Sequence, residues 1–136
     1  MSLKENKAVV QRLFEASNTR NLDILDEVIP KDMINHNPEP GNPQDVKQTY
    51  TRFVAAFPDV QFTVEDMVAE GDKVMVRLTV RGTHQGEFVG IPPTGKQITI
   101  TGMEVLRIAN GKVVERWANF DQLSFYQQLG VIQLFH

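Results

Sequence analysis

Apolar residues recur along this chain with two different periods, and the change from one to the other near Val60 divides it. Ahead of that point the spacing is helical. Between Leu3 and Thr19, Val10, Leu13, Phe14 and Ser17 share one face while Glu5, Lys7, Arg12 and Glu15 fall largely elsewhere, which predicts an amphipathic helix. Asn18 to Asn21 breaks it. Leu22, Leu25, Val28 and Ile29 mark a second, shorter helix that Pro30 stops. Met33 to Asn37 reads as a short strand and Pro38 to Pro43 as a loop. Asn42 is the expected N-cap of a third helix with Pro43 at its first position, where a missing N–H is no loss. The expected buried face of that helix is Val46, Tyr50, Phe53, Val54 and Phe57, and Pro58 ends it.

From Val60 the period is two. Val60, Phe62 and Val64 begin a strand running to about Glu70, and Gly71-Asp72 turns into the next, where Val74, Val76, Leu78 and Val80 alternate with Met75, Arg77, Thr79 and Arg81. Two more β-rich runs, Gln97 to Ala109 and Lys112 to Phe120, are joined by Asn110-Gly111, the pair best suited to a two-residue hairpin because both positions need φ > 0. Gly90-Ile91-Pro92-Pro93-Thr94-Gly95 reads as a stiff loop at a sheet end. After Asp121 the spacing of Leu123, Tyr126 and Leu129 is helical again, with Gly130 as the stop.

Helices followed by an antiparallel meander predict one α+β domain over residues 1–136, with helices on one face of a curved sheet and a cavity at its open end for a small apolar molecule. Both phases of the meander carry apolar residues, Ile98 and Ile100 on one, Met103 and Val105 on the other, so the face without helices is the expected contact of a homodimer. Composition then removes several classes. The chain has no cysteine, hence no disulfide, thiolate zinc site or thiol nucleophile. A net charge of −3 with no basic cluster argues against nucleic acid, and no apolar run approaches membrane-spanning length, so neither nucleic acid nor membrane is an expected partner. With 41% hydrophobic and 23% charged residues, the expected setting is the cytoplasm.

Several segments carry a resemblance: Asn35-His36-Asn37-Pro38, Ala56-Phe57-Pro58-Asp59, the run from Gly86 to Lys96, Arg107-Ile108, and Asn110-Gly111-Lys112-Val113 with Glu115, Trp117 and Asp121. Over essentially its whole length the chain resembles the SnoaL-like polyketide cyclases of the nuclear transport factor 2-like superfamily, whose α+β fold is cone-shaped. The resemblance implies ring closure by intramolecular aldol condensation on a polyketide-derived ester, without metal or cofactor. It also implies an acid/base aspartate at the junction of the last strand and the C-terminal helix, matched by Asp121, and a substrate-binding histidine matched by His84.

The residues themselves leave alternatives beside those roles. Asp121 is equally placed to be the N-cap of the helix that starts at Gln122. His36, Phe57, Trp117 and Asn119 are candidate substrate-binding residues. Asp66 continues the Val60, Phe62, Val64 phase, and Glu104 interrupts the apolar phase around it, so each is either a buried carboxylate at the cavity or turned outward by a bulge. Both are reserve candidates for the acid, with Arg77 as a partner inside the cone or a solvated residue. Neither histidine has the spacing of a metal site. The same fold could instead host an epoxide hydrolase built on Asp66, Asp121 and Arg77, an isomerase, or a binding protein with no poised base. A carboxylate facing an apolar pocket discriminates catalysis from binding.

Overall fold

The structure, a computed structural model, describes residues 2–36 and 45–132. Its described elements run α1 (Leu3–Thr19), α2 (Leu22–Val28), β1 (Ile34–Asn35), α3 (Val46–Ala56), β2 (Gln61–Glu70), β3 (Lys73–Thr83), β4 (Gln97–Ala109), β5 (Lys112–Phe120) and α4 (Gln122–Leu129). The strands form one sheet in the order β1-β5-β4-β3-β2. Its neighbours are antiparallel except for β1, which lies parallel to β5. No helix among the described residues is long and apolar enough to cross a membrane.

Local chemistry fixes where the elements start and stop. Ser2 and Glu5 form a capping box at the head of α1, each side chain accepting the other's backbone N–H at 3.1 Å. The helix ends at Arg20 in the left-handed region, and the Arg20 guanidinium donates to the carbonyls of Ser17, Pro58 and Val60. Asn18, two residues earlier, exchanges two hydrogen bonds with the backbone of Phe62 at 2.7 and 2.8 Å. It thereby pairs backbone groups of β2 that, among the described residues, meet no further strand.

The inner face of the sheet packs on α1 and α2 through Val10, Leu13, Leu25 and Val28 against Val74, Val76, Leu78, Leu106 and Val113. A second cluster of Phe57, Val60, Val80, Ile98, Phe125 and Leu129 joins the end of α3 to α4 and the far end of the sheet. Between the two, α3 does not press its apolar face onto the sheet. Of its residues only Ala56 is buried; Val46, Tyr50 and Phe53 remain half-buried because they front a cavity, and Val54 packs half-buried against the second cluster. Asp45 caps α3, accepting from the N–H groups of Lys47 and Gln48, whereas the expected cap Asn42 and its neighbour Pro43 lie outside the described residues.

Two irregularities decide which side chains face inward. A bulge in β2 between Val64 and Asp66 moves Asp66 out of the apolar phase, onto the outer face opposite Arg77. β4 has no such break at Glu104, which keeps the inward phase of Ile98, Ile100 and Leu106 and is buried. Gly102, directly across from Phe120, leaves room for that ring to lie against β4: a Cβ there would fall 2.2 Å from the Phe120 ring. Gly102→Ala is therefore expected to drive that ring from its place and lower unfolding free energy by about 1–3 kcal/mol. Denaturant unfolding of the variant beside the parent measures this, and an unchanged midpoint would refute it.

Candidate active site

The space between α3 and the inner sheet face is a cavity of about 590 Å³, within the range that holds a small multi-ring molecule. Its walls are mostly apolar. Phe14, Tyr50, Phe53, Phe62, Phe120 and Phe125 line it from both helices and strands, with Leu13, Ile29, Met33 and Ile100 filling between them. Burial pushes the hydroxyls of Tyr50 and Tyr126 above the usual tyrosine range, so both are neutral donors at physiological pH rather than bases. The Tyr50 hydroxyl donates to the Ser17 carbonyl at 2.5 Å, which anchors α3 to α1 across the cavity.

One wall is charged. Glu104 on β4 and Arg116 on β5 both line the cavity, both are buried, and the Arg116 Nε–H donates to Glu104 Oε1 at 3.0 Å. Arg116 also donates through Nη1 to Asn35 Oδ1 at 3.1 Å, a buried contact that β1 exists to deliver, since Asn35 stands beside Arg116 in the parallel pairing. A carboxylate that faces apolar space is placed to take a proton from a bound carbon acid, and the guanidinium beside it keeps it paired while it is buried.

The residues expected from sequence scatter around this centre. Phe57 is fully buried, stacked on Phe53 at 4.6 Å and on His84 at 5.1 Å, behind the aromatic wall. His84, also fully buried, accepts at Nδ1 from the Thr94 backbone N–H at 3.2 Å and lies 3.0 Å from the Thr94 hydroxyl, which fixes the loop before β4 to the end of β3. Neither is among the residues lining the cavity. Asp121 is exposed and caps α4, accepting the Ser124 N–H at 3.0 Å, although its neighbours Phe120 and Gln122 both line the cavity.

The remaining candidates stand on the outer face of the sheet. His36 stacks on Trp117 with ring centroids 4.7 Å apart and meets Glu115 Oε2 at 2.5 Å, while Glu115 Oε1 accepts from Arg107 at 2.7 Å. These two contacts, His36 first, hold the Glu115 carboxyl below the usual range. Asn119 is exposed on the same side, and Asp66 pairs with Arg77 at 2.6 Å in solvent. Alternation accounts for Asn119 and Trp117, whose partners Met103 and Val105 belong to the outward phase, and the β2 bulge accounts for Asp66. The arginine and two aspartates expected for epoxide hydrolysis are therefore not assembled around the cavity. Among the described residues no group of three potential ligands could hold a metal ion.

Arg116 is the charged residue of the cavity wall that sequence reasoning missed. The signal was present: counting back by twos from Phe120 gives Ala118 and Arg116 on the inner face, next to Glu104 on the neighbouring strand. It was obscured by the irregularity near Arg107 and Ile108, which shifts the phase between the Asn110-Gly111 turn and the rest of β5.

Comparison with known proteins bears on the same architecture. The profile of the SnoaL-like polyketide cyclase family matches residues 7–129. The aklanonic acid methyl ester cyclase DnrD of Streptomyces peucetius is 32% identical over 128 residues, covering 90% of this chain and 88% of its own. The enzyme of the same description from Streptomyces galilaeus, AcmA, is 29% identical over 140 residues, covering 94% of this chain and 92% of its own. Among solved structures, IdmH of Streptomyces antibioticus, a proposed polyketide cyclase, superposes with a TM-score of 0.80 at 36% identity over 93% of this chain and 99% of its own. AclR of Streptomyces galilaeus, a proposed hydroxylase, does so with a TM-score of 0.86 at 32% identity over 98% of this chain and 89% of its own. The chain belongs to the SnoaL-like polyketide cyclase family.

Proposed function

We propose that this protein closes a ring by intramolecular aldol condensation on a polyketide-derived ester held in the apolar cavity. The observation that carries the reading is Glu104, a buried carboxylate on the wall of that cavity. In the proposed reaction the carboxylate takes a proton from the carbon alpha to a carbonyl and leaves an enolate that the substrate's own conjugation delocalises. The enolate carbon attacks a second carbonyl carbon; the new C–C bond forms as the C=O π pair moves to oxygen, which takes the proton back. Arg116, 3.0 Å from Glu104, sets a positive charge beside the oxygen that becomes negative. Every step is proton transfer or C–C bond formation, so the reading assigns no metal or cofactor. The product is an isomer of the substrate, whereas hydroxylation would add an oxygen atom.

A second reading gives the proton transfer to Asp121, which the family resemblance indicates and whose neighbours Phe120 and Gln122 face the cavity. Glu104→Gln and Asp121→Asn separate the two, because an amide preserves shape and, at Asp121, the cap, but cannot relay a proton. With the methyl ester named for the relatives as first substrate, Glu104→Gln is expected to lower kcat by about a hundredfold or more while ligand still binds, and Asp121→Asn to keep most of the rate. The opposite ranking would move the base to Asp121. Loss in neither variant, or a product heavier by one oxygen, would sink the ring-closure reading.

The outer face of the sheet is assigned, in the same proposal, to a second copy of this chain. Val68, Met75 and Met103 are exposed there by 58%, 45% and 54%, beside the half-buried Val105 and Trp117. Around them stand Glu65, Asp66, Glu70 and Glu115 with Lys73, Arg77, Arg81 and Arg107, equal numbers of each sign on a chain whose net charge is −3. An apolar centre with a neutral, alternating rim is complementary to itself under a two-fold axis. Light scattering at tens of micromolar is expected to give the dimer mass, and Met75→Glu to give the monomer. A monomeric parent protein would contradict the assignment.

A further inference from the structure

Between β3 and β4 the chain makes a miniature hairpin that its sequence does not favour. Phe88 and Ile91 exchange two backbone hydrogen bonds, at 3.0 and 2.8 Å, around Val89 and Gly90, whose φ values are +47° and +81°. Left-handed dihedrals at both central positions are what a type I′ turn requires, and Asn, Asp or Gly normally occupies the first of them. Gly90 meets the requirement without strain. Val89 does not, because a branched Cβ crowds the backbone in this region.

Three independent contacts hold the hairpin in that shape. Glu87 Oε1 accepts the Gly90 N–H at 3.2 Å. The Phe88 ring stands edge-on to Phe53, Phe57 and Phe125, at 5.5, 6.0 and 5.5 Å. At the neck of the loop, His84 accepts the Thr94 N–H on its ring and the Gly95 N–H on its carbonyl. A strained residue over-determined by its surroundings is characteristic of ligand clamps and switch regions. Packing does not account for the choice of valine, since Val89 remains 50% exposed while lining the cavity.

Resting on the reading of this cavity as the substrate site, we propose that Val89 is a specificity-determining residue. The hairpin tip holds its isopropyl group at the cavity mouth, where a bound apolar ring system covers it, so that the shape of the tip selects which ring outline is accepted. Asparagine would suit the turn better but would set an amide against the ligand, which explains why the strained apolar residue stands there.

Val89→Asn tests this with readouts that move in opposite directions. The variant is expected to melt roughly 2–5 °C higher, because strain is relieved. Its affinity for the neutral apolar dye Nile red is expected to fall about fivefold, and KM for the methyl ester to rise by a similar factor, with the loss falling on KM more than on kcat. Weakened dye binding without turnover of any ester by the parent protein would overturn the ring-closure reading and leave the hairpin contact standing. Equal dye affinity in the two proteins, no dye uptake by the parent, or a lower melting temperature in the variant overturns the proposal itself.

Discussion

A carboxylate on the inner face of a sheet has to be paired, and much of the architecture around the cavity follows from that constraint at Glu104. Strand alternation leaves it no route to solvent, because β4 runs unbroken from Gln97 to Ala109 with every second residue inward. Leaving one member of such a pair alone in the interior costs about 3–5 kcal/mol, a large part of the whole stability of a domain. Arg116 supplies the counter-charge from the next strand, and it is itself held by Asn35. The two-residue strand β1 therefore has a purpose out of proportion to its length. A hydrophobic pair of the same volume is often as stable or more so, so the stability of the fold does not by itself call for a charged pair at this place.

The second constraint is emptiness. A sheet and helices that packed fully on one another would leave no cavity, and the chain avoids this by keeping α3 at a distance, braced by Tyr50 on Ser17 and by the aromatic cluster of Phe53, Phe57, Phe88 and Phe125. Gly102 lets the Phe120 ring lie across β4 where any larger residue would displace it. The aromatic wall is stiff because its rings contact one another. The same rings anchor the strained Phe88-Val89-Gly90-Ile91 hairpin, so the shape of the mouth and the shape of the interior are set by one set of contacts.

Periodicity made most of the fold legible. The bounds of β4, β5 and α4 follow from the Asn110-Gly111 turn, the change of period after Phe120 and the glycine stop, all of which are local signals. Asp66 and Glu104 show where legibility ended. Each interrupted an apolar phase, and nothing in either stretch says which strand carries a bulge; the structure puts it beside Asp66 and not beside Glu104. Trp117 and His36 stand in segments that carry the resemblance, yet the alternation that places Arg116 inward places Trp117 and the other candidate, Asn119, outward. The strain at Val89 had no sequence signal, because the loop read from Gly90 to Gly95 gives no reason for a positive φ at the valine before it.

If Glu104 is the base, the reacting carbonyl compound lies in this cavity against it. A crystal structure with a non-cyclising analogue of the methyl ester tests it most directly. The ring system is expected to be enclosed by Phe14, Tyr50, Phe53 and Phe125, with the reacting α-carbon beside Glu104 and a ligand oxygen within about 2.6–3.2 Å of Arg116. An analogue bound outside the cavity, or enclosed with its reacting carbon turned away from Glu104 and toward Asp121, would contradict it.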